Sequence, residues 1–149
     1  MPYSDLRIGR YSEPGREYLV TTTVHRRIPV FETFSYARIC IRELAGTERE
    51  TDASWLAWVL MPDHFHGLVR LGSTSDLSDL MRRFKGASAY ALNRVMGRTG
   101  TLWQPGYHDH ALRREESRLA VARYIVANPL RAGLAERPGD YPHWDSVWL

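Results

Sequence analysis

The chain has 149 residues, 44% of them apolar and 25% charged. Those are the proportions of an ordinary soluble globular protein, and the length suits one domain whose core needs neither disulfides nor a structural metal. No apolar run approaches the roughly 20 residues that span a bilayer, and the N-terminal Met1-Pro2-Tyr3-Ser4-Asp5 lacks the basic-then-apolar layout of a secretory signal. The single cysteine, Cys40, permits no internal disulfide and reads as a small core residue, so a reducing, cytoplasmic setting is expected. The net charge of +3 is unevenly spread: residues 82–131 hold ten basic and three acidic side chains, net +7, and the rest of the chain is at −4. A field concentrated in that way is the footprint of a polyanion binder.

In chain order, residues 1–16 form a polar, irregular lead-in. Tyr18 to Val24 is rich in branched and aromatic residues and reads as a first strand. Phe34, Ala37, Ile41 and Leu44 recur at helical spacing within 31–44, and Gly46 is expected to stop that helix, leaving 47–52 as a charged connector. The apolar runs Trp55 to Leu60 and Gly67 to Leu71 read as two buried strands around the Pro-containing turn in Met61-Pro62-Asp63. Ser75-Asp76-Leu77 caps a helix that should run to about Met96. Its apolar stripe is Leu77, Leu80, Met81, Phe84, Ala87, Ala91, Leu92 and Val95, opposite Arg82, Arg83, Lys85 and Arg94. After a loop, His108 to Leu112 makes a short fourth strand. Residues 115–128 make a third helix that Pro129 ends, anchored by Leu119, Ala122, Ile125 and Val126. Residues 130–149 are an aromatic tail, irregular or briefly helical, packed on the domain through Tyr141, Trp144 and Trp148. The order β-α-β-β-α-β-α is that of a ferredoxin-like α+β fold, an antiparallel sheet with helices on one face.

His64 and His66 start the third strand, where a two-residue repeat points both imidazoles to one face and Phe65 to the other. Two imidazoles there suit a divalent cation, although a bare His-x-His equally suits one hydrogen-bonded and one exposed strand residue. Tyr124 and Asn128 lie four residues apart, hence neighbours on a helical face. An asparagine oxygen completes the shell of a hard cation and a tyrosine beside it is a nucleophile, while amphipathic packing and a helix C-cap are the alternatives.

Taken together these residues resemble the single-tyrosine HUH transposases of the IS200/IS605 type, particularly the REP-associated group. The likeness rests on Met61-Pro62-Asp63-His64-Phe65-His66, on Trp103-Gln104-Pro105-Gly106-Tyr107-His108-Asp109, and on Tyr124-Ile125-Val126-Ala127-Asn128-Pro129. Tyr18 to Thr21 and Arg26 to Phe31 add to it, and it spans about residues 7–148. The resemblance implies His64, His66 and Asn128 as ligands of Mg²⁺ or Mn²⁺. It also implies Tyr124 as a nucleophile that cleaves single-stranded DNA through a 5′-phosphotyrosine, often at a hairpin in repeat DNA. No residue identifies the base for Tyr124. Arg82, Arg83, Lys85, Arg94, Arg98, Arg113, Arg114 and Arg118 are candidates for the phosphate track, and Trp103 and Tyr107 for stacking a base or for the core. The second His-x-His, His108 and His110, is expected to be structural or DNA-proximal. The aromatic-Trp-Gln segment favours a monomer over a dimer that exchanges the tyrosine helix. A hairpin binder without cleavage activity is the competing reading, and a phosphohydrolase of small esters a weaker one that the basic segment opposes.

Overall fold

Every second side chain of Tyr18-Leu19-Val20-Thr21-Thr22 is buried, and that alternation founds the sheet. The computed structural model describes residues 15–113 and 116–148; nearly all of the expected lead-in lies outside them, as does Arg114. Strand β1 (Glu17–Thr23) leads through two 3₁₀ turns into α1 (Phe34–Glu50), then β2 (Ser54–Met61), β3 (His64–Arg70), α2 (Leu77–Met96), β4 (His108–Ala111), α3 (Arg118–Val126), the four-residue α4 (Asn128–Arg131) and β5 (Trp144–Ser146). The five strands are antiparallel in the order β4-β1-β3-β2-β5. The ferredoxin-like α+β arrangement is present, with one strand more than expected.

Helix α2 has the expected limits: the Asp76 side chain accepts from the Ser78 amide, and Gly97 closes it in the left-handed region at φ 64°. Its buried stripe is Leu77, Leu80, Met81, Phe84, Ser88 and Leu92. Ala87 is instead exposed, Ala91 half-buried and Val95 60% exposed, because the stripe continues through Ser88, whose hydroxyl accepts from the Trp103 indole at 2.9 Å. Three other expectations fail for tertiary reasons. Gly46 does not stop α1, which runs on to Glu50; the Thr47 hydroxyl accepts from Trp55 Nε1 at 3.0 Å, and Glu48 accepts from the Trp55 amide, tying the last turns to β2. Pro129 does not end the helical region either. It opens α4, where its missing N–H is no loss. The tail contributes β5, an edge strand on β2, and Tyr141 donates to the Leu60 carbonyl at 2.6 Å.

The sheet also carries helices on both faces rather than one. Phe65 and Val69 of β3 join Tyr18, Val20 and Trp55 beneath α1 and α2. Leu68 joins Leu56, Ala57, Val59 and Met61 beneath α3, through Ala122 and Ile125. Leu119, expected as an anchor of α3, is 36% exposed. Cys40 is buried under α2 and burial pushes its thiol up, as befits a core residue. Gly67 is fixed by the aromatic cluster: a Cβ there would lie 2.6 Å from the Trp55 ring and 2.9 Å from that of Phe65. Gly67→Ala is expected to lower stability by about 1–3 kcal/mol in urea unfolding, since neither ring has room to retreat.

Candidate active site

Strand alternation puts His64 and His66 on the same side as Leu68, the face that α3 covers. Their ring centroids are 4.8 Å apart, with the planes at 89°. Each imidazole is held through Nδ1. His64 Nδ1 donates to Asp63 Oδ1 at 2.7 Å, and His66 Nδ1 lies 2.8 Å from the Thr21 hydroxyl, which the β1–β3 register sets opposite it. Both Nε2 atoms are thereby left for another partner. Asp63 is itself braced by Arg27 Nε at 3.0 Å. Burial alone would raise the Asp63 carboxyl, but hydrogen bonds from His64 and Arg27 outweigh it and hold the group below the usual carboxylate range. Arg26 and Arg27 occupy the left-handed region, at φ 59° and 55°. Their turn is pinned from both sides: the Val24 amide donates to Asp63, and the His25 amide to Leu102.

Burial, and then the positive charges of His64 and Arg131, push His66 down to about 4. A histidine lowered in the fold from 6.5 resists protonation there, so its contribution to stability is complete above about pH 6.5 and lost as pH falls toward 4. Metal-free protein is accordingly expected to lose urea resistance over that window, and His66→Gln, which keeps a partner for Thr21, to flatten that part of the profile.

Helix α3 brings Tyr124 to this same side. Ser117 caps it by accepting from the Ala120 amide at 3.1 Å. Ala122, Ile125 and Val126 are buried while Tyr124 is 60% exposed, with no hydrogen bond to its hydroxyl among the described residues. Asn128 is half-buried, and its carboxamide likewise makes no hydrogen bond among them. One residue that sequence reasoning missed stands over the tyrosine: the Arg131 guanidinium lies 3.7 Å from the ring centroid and donates to the Tyr124 carbonyl at 2.7 Å. Asp63, Thr21 and Arg27 were missed too. Asp63 adjoins the His-x-His and was there to be noticed, whereas Thr21 and Arg131 needed the strand register and the α3–α4 turn.

The donor set fits a divalent cation. Both imidazoles offer Nε2, and His66 is neutral at neutral pH, as a ligand must be. Among the described residues no third His, Cys, Asp or Glu joins them, so a further protein ligand would be of another kind, such as the Asn128 oxygen.

The expected phosphate track divides. Arg82, Arg83, Lys85 and Arg94 stand on α2, and Arg98 just beyond it, on the face of the sheet opposite the histidines. Arg82 and Arg83 are paired with Asp79, Arg83 at 2.7 Å. Arg94 approaches the Tyr90 hydroxyl at 3.4 Å, and Arg98 donates to the Thr101 carbonyl. Lys85 is half-buried and donates to the Gln104 and Gly106 carbonyls, burial pushing it down to about 8. Arg113 and Arg118 lie on the side of α3; Arg118 is 3.5 Å from Glu17. Trp103 and Tyr107 are 3% and 7% exposed. Trp103 packs against Phe31 and Phe84 at 5.5 and 5.7 Å, and both Trp103 and Tyr107 belong to the core beneath α1 and α2. In the second His-x-His, His110 is held by Glu116 at 2.9 Å, a structural contact.

An antiparallel sheet thus carries two histidines on the face that the Tyr124 helix covers, and comparisons with known proteins assign the chain to a family of transposases. Residues 15–128 match the family described as "Transposase IS200 like". The chain is 25% identical over 134 residues to a REP-associated tyrosine transposase of Escherichia coli, covering 89% of this chain and 78% of that one. Its fold is that of a solved REP-associated tyrosine transposase bound to a REP hairpin, with a TM-score of 0.76 and 24% identity over 91% of this chain and 79% of that one. The chain belongs to the IS200-like transposase family.

Proposed function

We propose that the chain is a metal-dependent single-stranded DNA endonuclease and strand transferase that cleaves hairpin-associated repeat DNA through a 5′-phosphotyrosine. The observation that carries this reading is the sharing of one sheet face by Tyr124, exposed and with no hydrogen bond to its hydroxyl among the described residues, and two histidines held through Nδ1 with no partner on Nε2 among those residues. Tyr124 Oη forms a bond to phosphorus as the bond from phosphorus to the 3′ oxygen breaks; the tyrosine proton ends on that oxygen, giving a free 3′-hydroxyl. The phosphoester energy stays in the covalent link, so a 3′-hydroxyl reverses the step without a nucleotide cofactor. Mg²⁺ or Mn²⁺, held by His64, His66 and Asn128, would supply charge stabilisation on the phosphoryl oxygens. The hairpin substrate is suggested by the relative solved with a REP hairpin. Since α3 buries Ala122 and Ile125 against its own sheet, a monomer suits the chain better than a helix-exchanging dimer.

The test incubates the protein with Mn²⁺ and a panel of labelled single-stranded repeat hairpins, then looks for an SDS-resistant protein–DNA adduct. Binding without an adduct across the panel would leave the hairpin binder as the better reading.

A further inference from the structure

Several arginines pair with carboxylates, Arg27 with Asp63, Arg70 with Glu17, Arg83 with Asp79 and Arg137 with Asp140, while Arg94 and Arg98 meet a hydroxyl and a carbonyl oxygen. Arg131 differs from both groups in lying on the ring of Tyr124. Its contacts are the π face of Tyr124 at 3.7 Å and the carbonyl oxygen of the same residue at 2.7 Å, and no acidic side chain pairs with it among the described residues. A guanidinium carries five N–H donors in a rigid fork, and the carbonyl takes one of them. The α3–α4 junction creates the placement. Ala127 caps α3 and starts α4, the Arg131 amide donates to the Ala127 carbonyl at 3.1 Å, and residue 131 comes two turns on from residue 124, over its ring. A cation stacked on the tyrosine, with no acidic partner among the described residues, is positioned for an anion that the protein does not itself contain.

Resting on the strand-transfer reading above, we propose that Arg131 grips the scissile phosphodiester, its face holding the Tyr124 ring in the line of attack and its free N–H groups binding a non-bridging oxygen. Its planar fork matches two phosphate oxygens, and its charge offsets what builds on them as Oη closes on phosphorus. The contact strengthens as the reaction proceeds, so its loss falls on the rate of bond breakage more than on DNA affinity.

Single-turnover adduct formation at saturating hairpin DNA separates these effects. Arg131→Ala is expected to slow it about 100-fold with the DNA dissociation constant within about threefold. Arg131→Lys, which keeps charge but not the fork, is expected to recover only part of the rate. The deciding arm replaces one non-bridging oxygen of the scissile phosphate with methyl. On that uncharged methylphosphonate the advantage of native protein over Arg131→Ala is expected to shrink to a few-fold. If the advantage stays at its phosphodiester value, Arg131 only holds the tyrosine ring and the grip is wrong; equal rates for native protein and Arg131→Ala overturn the assignment outright. Thermal unfolding of both variants identifies a rate loss that merely follows unfolding, which also counts against the role. Absence of an adduct with native protein would sink the strand-transfer reading itself and this assignment with it, a result distinct from the others.

Discussion

Replacing Tyr124 with phenylalanine is expected to remove the DNA adduct while leaving the fold and hairpin binding nearly as they were. The ring survives, and with it the stacking of Arg131 at 3.7 Å, which needs a π face and not a hydroxyl. The hydroxyl has no hydrogen bond to lose among the described residues and the side chain is 60% exposed, so a stability change within about 0.5 kcal/mol is expected. Removal of the nucleophile itself has no such tolerance: a loss of at least about 10⁴-fold in adduct formation is expected. Tyr90 is the control. It is 65% exposed but stands on α2, across the sheet from the histidines, and Tyr90→Phe should leave the rate unchanged. An adduct that persists in Tyr124→Phe would mean that another side chain attacks, and the roles drawn from α3 would go with it.

The parts of this molecule that were legible in the sequence are those set by local pattern. The cap at Asp76, the apolar stripe from Leu77 and the left-handed Gly97 sufficed to bound α2 at both ends. The two short apolar runs around His64 and His66 were unambiguous as β2 and β3. What failed was decided by partners distant in the chain. Gly46 looks like a stop until Thr47 and Glu48 are seen bonding Trp55. Three residues of β5 carry no period of their own, and only the free edge of β2 makes them a strand. Pro129 is compatible with both an end and a beginning, since it lacks only a donor that the first turn does not use. Charge counted along the chain joined residues 82–98 to 113–131, but the sheet lies between them, so the basic segment is two surfaces. The histidine pair and the Tyr124–Asn128 spacing were visible, but by themselves they suited ordinary strand and helix roles equally well. Nothing in a linear pattern, however, says which face a helix covers, and that α3 covers the histidine face is what makes the pair part of a candidate site.

His66→Ala is expected to weaken Mn²⁺ binding beyond detection, and Asp63→Asn to weaken it by about 10–100-fold, as a change in the support of a ligand does. In the native site Asp63 fixes the tautomer of His64: its carboxylate accepts from Nδ1 at 2.7 Å, which leaves the lone pair on Nε2. Arg27 holds the other carboxylate oxygen at 3.0 Å, so the group does not swing away. Asparagine keeps an oxygen that accepts the same hydrogen bond but carries no charge, so geometry survives while ligand strength falls. Thr21→Val makes the parallel test on His66, whose Nδ1 would lose its 2.8 Å partner. Titration calorimetry or the electron paramagnetic resonance of free Mn²⁺ measures each constant without DNA, hence independently of cleavage. An Asp63→Asn protein that binds Mn²⁺ as tightly as the native one would separate the carboxylate from the metal and leave it a brace for the Arg27 turn. Undiminished binding in His66→Ala would go further, since a cation indifferent to that imidazole is bound elsewhere on the chain.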